Sequence, residues 1–137
     1  MFLQKVFSTK SVNSLLASFG LLILRVAVSA MMLTHGLAKL SKFSTMSQNF
    51  DPIGMGGKLS LSLVIFAEVF CSIAVILGLF TRLATFPLIF AMCVATFVAH
   101  AGQAFATKEP ALLYLTFYVV ILLIGPGRFS LDRLLWK

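Results

Sequence analysis

The chain has 137 residues, of which 60% are apolar and 11% charged, with a mean hydropathy of +1.04. A soluble domain is about half apolar and about a quarter charged, because it needs a polar surface. The composition therefore excludes a soluble globular domain, a disordered protein and a disulfide scaffold. The length predicts a single membrane domain over residues 1–137. The net charge of +7 comes from basic residues that stand singly between apolar runs. This distribution is typical of charges that orient transmembrane helices, and not of a surface that binds nucleic acid.

Four apolar stretches predict four transmembrane helices, packed as an all-α integral membrane four-helix bundle. They cover about residues 15–40, 59–80, 83–101 and 110–125. The first stretch is expected to be an uncleaved span and not a signal peptide, because Arg25 interrupts it and the apolar pattern continues beyond it. Only Thr81 and Arg82 separate the second stretch from the third, which predicts a helical hairpin.

The loop at residues 41–58 carries Phe43, Met46 and Phe50 at helical spacing, followed by a glycine-rich turn. This pattern predicts a short interfacial helix in the first outward loop and a flexible return to the second span.

An even number of spans places both termini on one side of the membrane. The terminal side carries six basic residues: Lys5, Lys10, Arg82, Arg128, Arg133 and Lys137. The other side carries four: Lys39, Lys42, Lys58 and Lys108. The positive-inside rule therefore favours cytoplasmic termini and outward-facing loops at 41–58 and 101–109.

Several ionisable residues lie inside the spans or at their ends, where a charge is costly and is a functional hypothesis by default. They are Arg25, His35, Lys39, Glu68, His100 and Glu109. Helical phase gives each span one polar stripe, which a bundle would turn inward. We expect the histidines and glutamates to converge on the outward half, with Glu68 paired either to Arg25 or to His35. The alternative is that these residues only fix helix register or mark helix ends.

The sequence shows no haem, flavin or metal motif. The histidines and glutamates lack the Glu-x-x-His spacing of di-iron bundles, and the glycines of the first loop lack the phosphate-loop pattern. Cys71 and Cys93 lie within apolar runs and form no Cys-x-x-Cys pair. Packing is the simpler interpretation of the two cysteines, with a redox pair as the alternative.

Short sequence pieces over about residues 20–132 carry a family resemblance. They are Leu24-Arg25, His35-Gly36-Leu37-Ala38-Lys39-Leu40, Glu68, Gly78-Leu79-Phe80-Thr81-Arg82, His100, Phe105, Glu109 and Gly125-Pro126-Gly127-Arg128-Phe129-Ser130-Leu131-Asp132. In this order they resemble the DoxX family of small four-helix bacterial membrane proteins. The resemblance implies a multi-pass protein of the bacterial cytoplasmic (inner) membrane. It also implies either an oxidoreductase subunit, in some relatives quinone-linked, or an assembly factor.

The resemblance and the ionisable residues within the spans together lead to three functional hypotheses. The first is a membrane component of a quinone-linked redox system that acts with a redox partner protein, with quinone as the suggested cofactor. Its catalytic residues would be Glu68, His35 and Arg25, and its quinone-binding residues Lys39, His100 and Glu109. The second is a non-catalytic membrane scaffold or assembly factor, and the third is a small-molecule or proton pathway. The sequence leaves open whether the protein is an enzyme and whether it forms homo-oligomers. Membrane lipid is its expected surrounding, and nucleic acid is not an expected partner.

Overall fold

The computed structural model describes residues 15–136, and over that range the chain forms helices and no strand. The helices are α1 (Leu15–Ser41), α2 (Phe43–Met46), α3 (Gly57–Leu77), α4 (Thr81–Ala99), α5 (Phe105–Ile124) and α6 (Leu131–Leu135). Four of them, α1, α3, α4 and α5, are long and apolar enough to cross a membrane. The predicted all-α membrane bundle is confirmed. Lys5, Lys10 and Lys137, which entered the topology prediction, lie outside the described residues.

The four long helices pack unequally. Helix α1 packs most closely against α3, and α4 against α5, whereas α1 and α5 make few contacts with each other. The shared core contains Met32, Val75, Leu88, Tyr118 and Ile121. Large apolar side chains cover the outer faces, which suits contact with lipid chains. The α1–α5 seam is therefore the most open side of the bundle.

We call the two ends of the bundle the termini end and the loop end. At the termini end, α1 starts, α3 gives way to α4, and α5 is followed by α6. At the loop end, α1 is followed by α2, and α4 is connected to α5.

The first loop folds back onto α3. Three of its side chains pack with Leu33 against a buried cluster of Leu61, Ile65 and Val69; they are Phe43, Met46 and Phe50. The predicted short helix is present as α2.

The return to α3 is held by Asp51. Its carboxylate accepts hydrogen bonds from the backbone N–H groups of Met55 (2.8 Å) and Gly56 (3.1 Å) and from the Ser60 hydroxyl (3.0 Å). The carboxylate thus satisfies two N–H groups of the turn directly before α3, and the Ser60 hydroxyl links it to the helix itself. The return is thus fastened to α3, in contrast to the flexible return expected from its glycines.

Arg25 is 1% exposed, and its five hydrogen bonds all go to backbone carbonyl oxygens. The acceptors at the end of α3 are Val75 (3.1 Å) and Ile76 (3.2 Å). The others belong to the segment after α5, Pro126 (2.6 Å) and Phe129 (3.0 Å from each terminal nitrogen). The last carbonyls of a helix lack intrahelical partners, and such groups are costly in hydrocarbon. Arg25 therefore completes α3 and fastens the segment that follows α5.

Two further side chains complete helix ends beside Arg25. The buried carboxylate of Asp132 accepts hydrogen bonds from the N–H groups of Phe80 (2.7 Å) and Thr81 (2.8 Å) at the start of α4. Arg82 donates to the carbonyl oxygens of Leu122 and Ile124 at the end of α5, each at 3.1 Å. A negative charge at a helix start and a positive charge at a helix end both match the helix dipole.

The fourth span begins earlier than predicted. Helix α5 starts at Phe105, so Glu109 and Pro110 lie inside it and do not form its first turn. Proline within a helix removes one backbone hydrogen bond, and membrane helices tolerate this loss near their ends. The interpretation of Glu109-Pro110 as a helix start was therefore wrong by about one turn.

We expect replacement of Arg25 by methionine to lower the free energy of unfolding by about 3 kcal/mol or more, because several buried carbonyls lose their donors. Arg25→Lys should also destabilise, since one ammonium cannot reach both α3 and the segment after α5. Unfolding in mixed micelles can be followed by the fluorescence of Trp136, the only tryptophan, whose ring lies 6.2 Å from that of Phe80. Lys58→Met, at an exposed position of the loop end, is the control. Wild-type stability of Arg25→Met would contradict the assignment.

Candidate functional site

A cavity of about 250 Å³ lies at the loop end, between α1, α3, α4 and α5. Its polar lining consists of His35, Lys39, Glu68, His100, Thr107 and Tyr114. Its apolar lining consists of Met32, Met92, Ala95, Pro110 and Ala111. The cavity brings together four of the six site residues predicted from the sequence: two from α1, one from α3, and His100 directly after α4.

An ion pair forms one wall of the cavity. The Nζ atom of Lys39 lies 2.7 Å from both carboxylate oxygens of Glu68. The Glu68 side chain is 3% exposed and that of Lys39 24%. A buried carboxylate needs a partner that replaces its lost hydration, and the long lysine side chain reaches down to supply it. Neither Arg25 nor His35, the two partners considered from the sequence, forms this pair.

A close approach of α1 to α3 makes the ion pair possible. A Cβ atom on Gly36 would lie 2.8 Å from the Glu68 Cβ and 2.9 Å from the Glu68 carbonyl carbon. Because only a hydrogen fits there, the two helices meet at Glu68, and Lys39 lies almost one turn further along α1. A small residue at a helix contact is a common device in membrane bundles.

The helices around the cavity contain two π-helical turns. Glu68 lies in the first, Phe66–Cys71 of α3, and the second, Ala95–Ala99 of α4, ends next to His100. Such turns are wider than an α-helical turn and occur frequently at functional sites. Their position on two walls of the same cavity is consistent with a binding role for it.

The two histidines lie near the mouth. The His35 ring meets the Tyr114 ring edge-on, with 5.9 Å between their centroids. The Nδ1 atom of His100 is 3.1 Å from the Gln103 side-chain oxygen. His35 and Tyr114 thus stand where α1 faces α5, whereas His100 faces the loop that joins α4 to α5.

Below the cavity, the core is polar towards the middle of the bundle. The Ser29 and Tyr118 hydroxyls are 3.2 Å apart and buried. Ser72, about one turn below Glu68 on α3, is fully buried as well. Helical phase places Ser29 on the face of Arg25 and Ser72 on the face of Glu68, but it gave no reason to place Tyr118 with them. The contact between Ser29 of α1 and Tyr118 of α5 is a feature that sequence reasoning missed.

Two predicted site residues lie outside the cavity. Arg25 is at the termini end, about 21 Å from Lys39 along α1, and is held by backbone carbonyls. Glu109 is exposed and lines a separate groove between α1 and α5. The expectation that Glu109 joins Glu68 is not met, because α5 begins early and places it on the outer face.

Between residues 15 and 136, no group of three or more His, Cys, Asp and Glu side chains is arranged to hold a metal ion. Cys71 is buried and Cys93 partly buried, and neither forms a disulfide in this part of the chain.

We expect Gly36→Ala to separate α1 from α3, because the added methyl group meets Glu68 at both backbone and side chain. The variant should lose about 1–3 kcal/mol of stability, the usual cost of overpacking. Gly20→Ala, on the same helix, is the matched control, since nothing lies within 4 Å of its Cβ position. This control should be neutral or slightly stabilising, and a larger loss in the control than in Gly36→Ala would refute the packing argument.

The ion pair predicts a non-additive pair of substitutions. Lys39→Met should cost about 2 kcal/mol, below the range for fully buried pairs because Lys39 keeps some exposure. Adding Glu68→Gln to Lys39→Met should recover part of this loss, because no buried charge is then left unpaired. A double-mutant cycle on unfolding in micelles measures the coupling, and additive effects would show that the contact carries no energy.

Comparison with known proteins agrees with this architecture. Residues 20–101 match the family model DoxX. The chain is 34% identical over 126 residues to an uncharacterized protein of Haemophilus influenzae, covering 87% of this chain and 92% of that protein. It is 30% identical over 129 residues to the inner membrane protein YqjF of Escherichia coli (strain K12), covering 89% of this chain and 96% of that protein. No solved structure matches the chain. The protein is therefore a membrane protein of the DoxX family.

Proposed function

We propose that the protein is a membrane component of a quinone-linked redox system, and that the quinone headgroup binds in the loop-end cavity. The observation that carries the proposal is the Lys39–Glu68 ion pair, which lines a ring-sized cavity inside a membrane bundle. Ionisable residues persist within a membrane at a cost and commonly mark substrate or proton pathways.

The chemistry of a quinone fits the residues of the cavity. Reduction of a quinone to a quinol adds two electrons and two protons, and negative charge develops on the ring oxygens. The Lys39 ammonium is placed to stabilise that charge. Glu68 and His35 are the proposed groups that carry protons to or from the ring. His100 lies at the mouth, where it can contact the headgroup.

Arg25 has a different proposed role from the one expected from the sequence. Its nitrogens are committed to backbone carbonyls at the termini end, so Lys39 takes the role of the cation near the quinone. Arg25 is then a positioning residue that fixes α3 and, through it, the depth of Glu68.

The electrons require a partner. The ionisable side chains proposed to act on the quinone are proton carriers and a cation, and reduction also needs a donor of two electrons. We therefore assign electron transfer to a redox partner protein. The Escherichia coli relative is named as an inner membrane protein, and the same location is proposed here. With cytoplasmic termini, as the charge balance favours, the cavity would open on the outer side.

A scaffold or assembly role is the second candidate, and one observation favours it. Arg25, Arg82 and Asp132, three residues that carry the family resemblance, all serve to complete helix ends. Much of the family pattern is thus explained by architecture alone.

We expect the purified protein to bind menaquinone or ubiquinone saturably. Glu68→Gln removes the carboxylate charge that holds Lys39, and His35→Ala removes a ring that can hydrogen-bond, so each should raise the Kd about tenfold. Isothermal titration in nanodiscs measures the Kd, and Lys58→Met, outside the cavity, is the control. Unfolding in micelles must show that each variant keeps its fold. Unchanged isotherms, together with a stable partner recovered by native pull-down, would replace this function with the scaffold role.

A further inference from the structure

The groove between α1 and α5 adds a second compartment to the cavity. We infer that the ligand of the cavity is a quinone with a hydrocarbon tail, and that the tail lies in this groove. The inference rests on the proposed function and deepens it, because it names lipid-soluble quinones, and not small soluble ones, as the substrate class.

The groove has the size and chemistry of a tail site. Its volume is about 540 Å³, about twice that of the cavity. Val28 and Met31 line it from α1, and Leu113 and Phe117 line it from α5. It exists because α1 and α5 pack loosely, so the bundle leaves an apolar channel open to the lipid. Hydrocarbon chains suit the part of the groove that these four apolar side chains line, since they gain dispersion contacts there.

The groove and the cavity are adjacent. Pro110 and Tyr114 line both of them. A ring placed beside Lys39 and Glu68 could therefore pass its tail by Tyr114 and out between α1 and α5. No helix would have to be crossed on that route.

The order of residues along α5 matches an amphiphile. Glu109 lies at the loop end of the groove, and Leu113 and Phe117 follow at one-turn intervals towards the middle of the membrane. The groove thus changes from charged to apolar over about 12 Å. A tail that enters from the cavity is directed into the hydrocarbon layer.

A second apolar groove provides a contrast. It lies between α3 and α4, has a volume of about 390 Å³ and includes Leu63 and Phe90 in its lining. None of its lining residues lines the cavity. It is available to membrane lipid, but the structure gives it no connection to a headgroup in the cavity.

The test compares a tailed and a tailless ligand with the same ring. The probes are a short-chain menaquinone and dimethylnaphthoquinone, whose second methyl group replaces the tail and prevents addition of thiols such as Cys93. Leu113→Trp and Met31→Trp fill the groove from opposite walls. Leu63→Trp fills the second groove and is the matched control, because Leu63, like Leu113, is exposed on the outer face. The Kd of each ligand is measured in nanodiscs. Each variant is compared with wild type for the same ligand, so the partition of that ligand into the lipid affects both values equally.

We expect Leu113→Trp and Met31→Trp to raise the Kd of the tailed quinone about fivefold or more, because the indole occupies space that the tail needs. The Kd of the tailless quinone should stay within about twofold, as should both values for Leu63→Trp, since burial of the ring itself is unchanged. If both ligands weaken equally, or if neither weakens, the groove does not hold the tail and the inference falls, while quinone binding stands. If wild type binds neither ligand, the proposed function itself fails.

Discussion

The guanidinium of Arg25 satisfies backbone carbonyls from two parts of the chain that are distant in sequence, the end of α3 and the segment after α5. In water, those carbonyls would be hydrated. Within a membrane they have no such partner, and each one left unsatisfied costs several kcal/mol. Because one planar group with five N–H donors meets this requirement, α1, α3 and the C-terminal segment are fixed relative to one another at the termini end. Asp132 likewise satisfies backbone N–H groups at the start of α4, and Arg82 satisfies backbone carbonyls at the end of α5.

Because these contacts fix the helices at the termini end, the residues of the loop end are available to form a site. At the loop end, the four long helices enclose the cavity, and Lys39 and Glu68, which line it, are bonded to each other and not to helix ends. Gly36 sets the distance between α1 and α3, and this distance brings Lys39 to the carboxylate of Glu68. Charged side chains therefore have different roles at the two ends. Arginine satisfies backbone at one end, and lysine compensates a buried acid at the other.

The arrangement suits a ligand with a polar ring and an apolar tail. Polar groups line the cavity, apolar side chains line the α1–α5 groove, and Tyr114 belongs to both. Loose packing between α1 and α5 is usually a cost, because it forfeits dispersion contacts between helices. In this bundle, the loosely packed seam is also the one next to the ion pair, so a bound lipid could restore those contacts.

Hydropathy alone determined that the chain crosses a membrane four times as an all-α bundle, because about twenty consecutive apolar residues can satisfy their backbone in hydrocarbon only as a helix. The cost of burying charge likewise singles out Arg25 and Glu68 from the sequence alone. Only the tertiary structure decided their partners. Helical phase and depth allowed Arg25 as a partner for Glu68. The backbone carbonyls that accept its hydrogen bonds, however, lie about fifty and about a hundred residues away in the chain. Gly36 contacts α3 and thereby brings Lys39 to Glu68. The hydrophobic periodicity of the sequence cannot predict this contact, because it depends on how closely two separate helices approach.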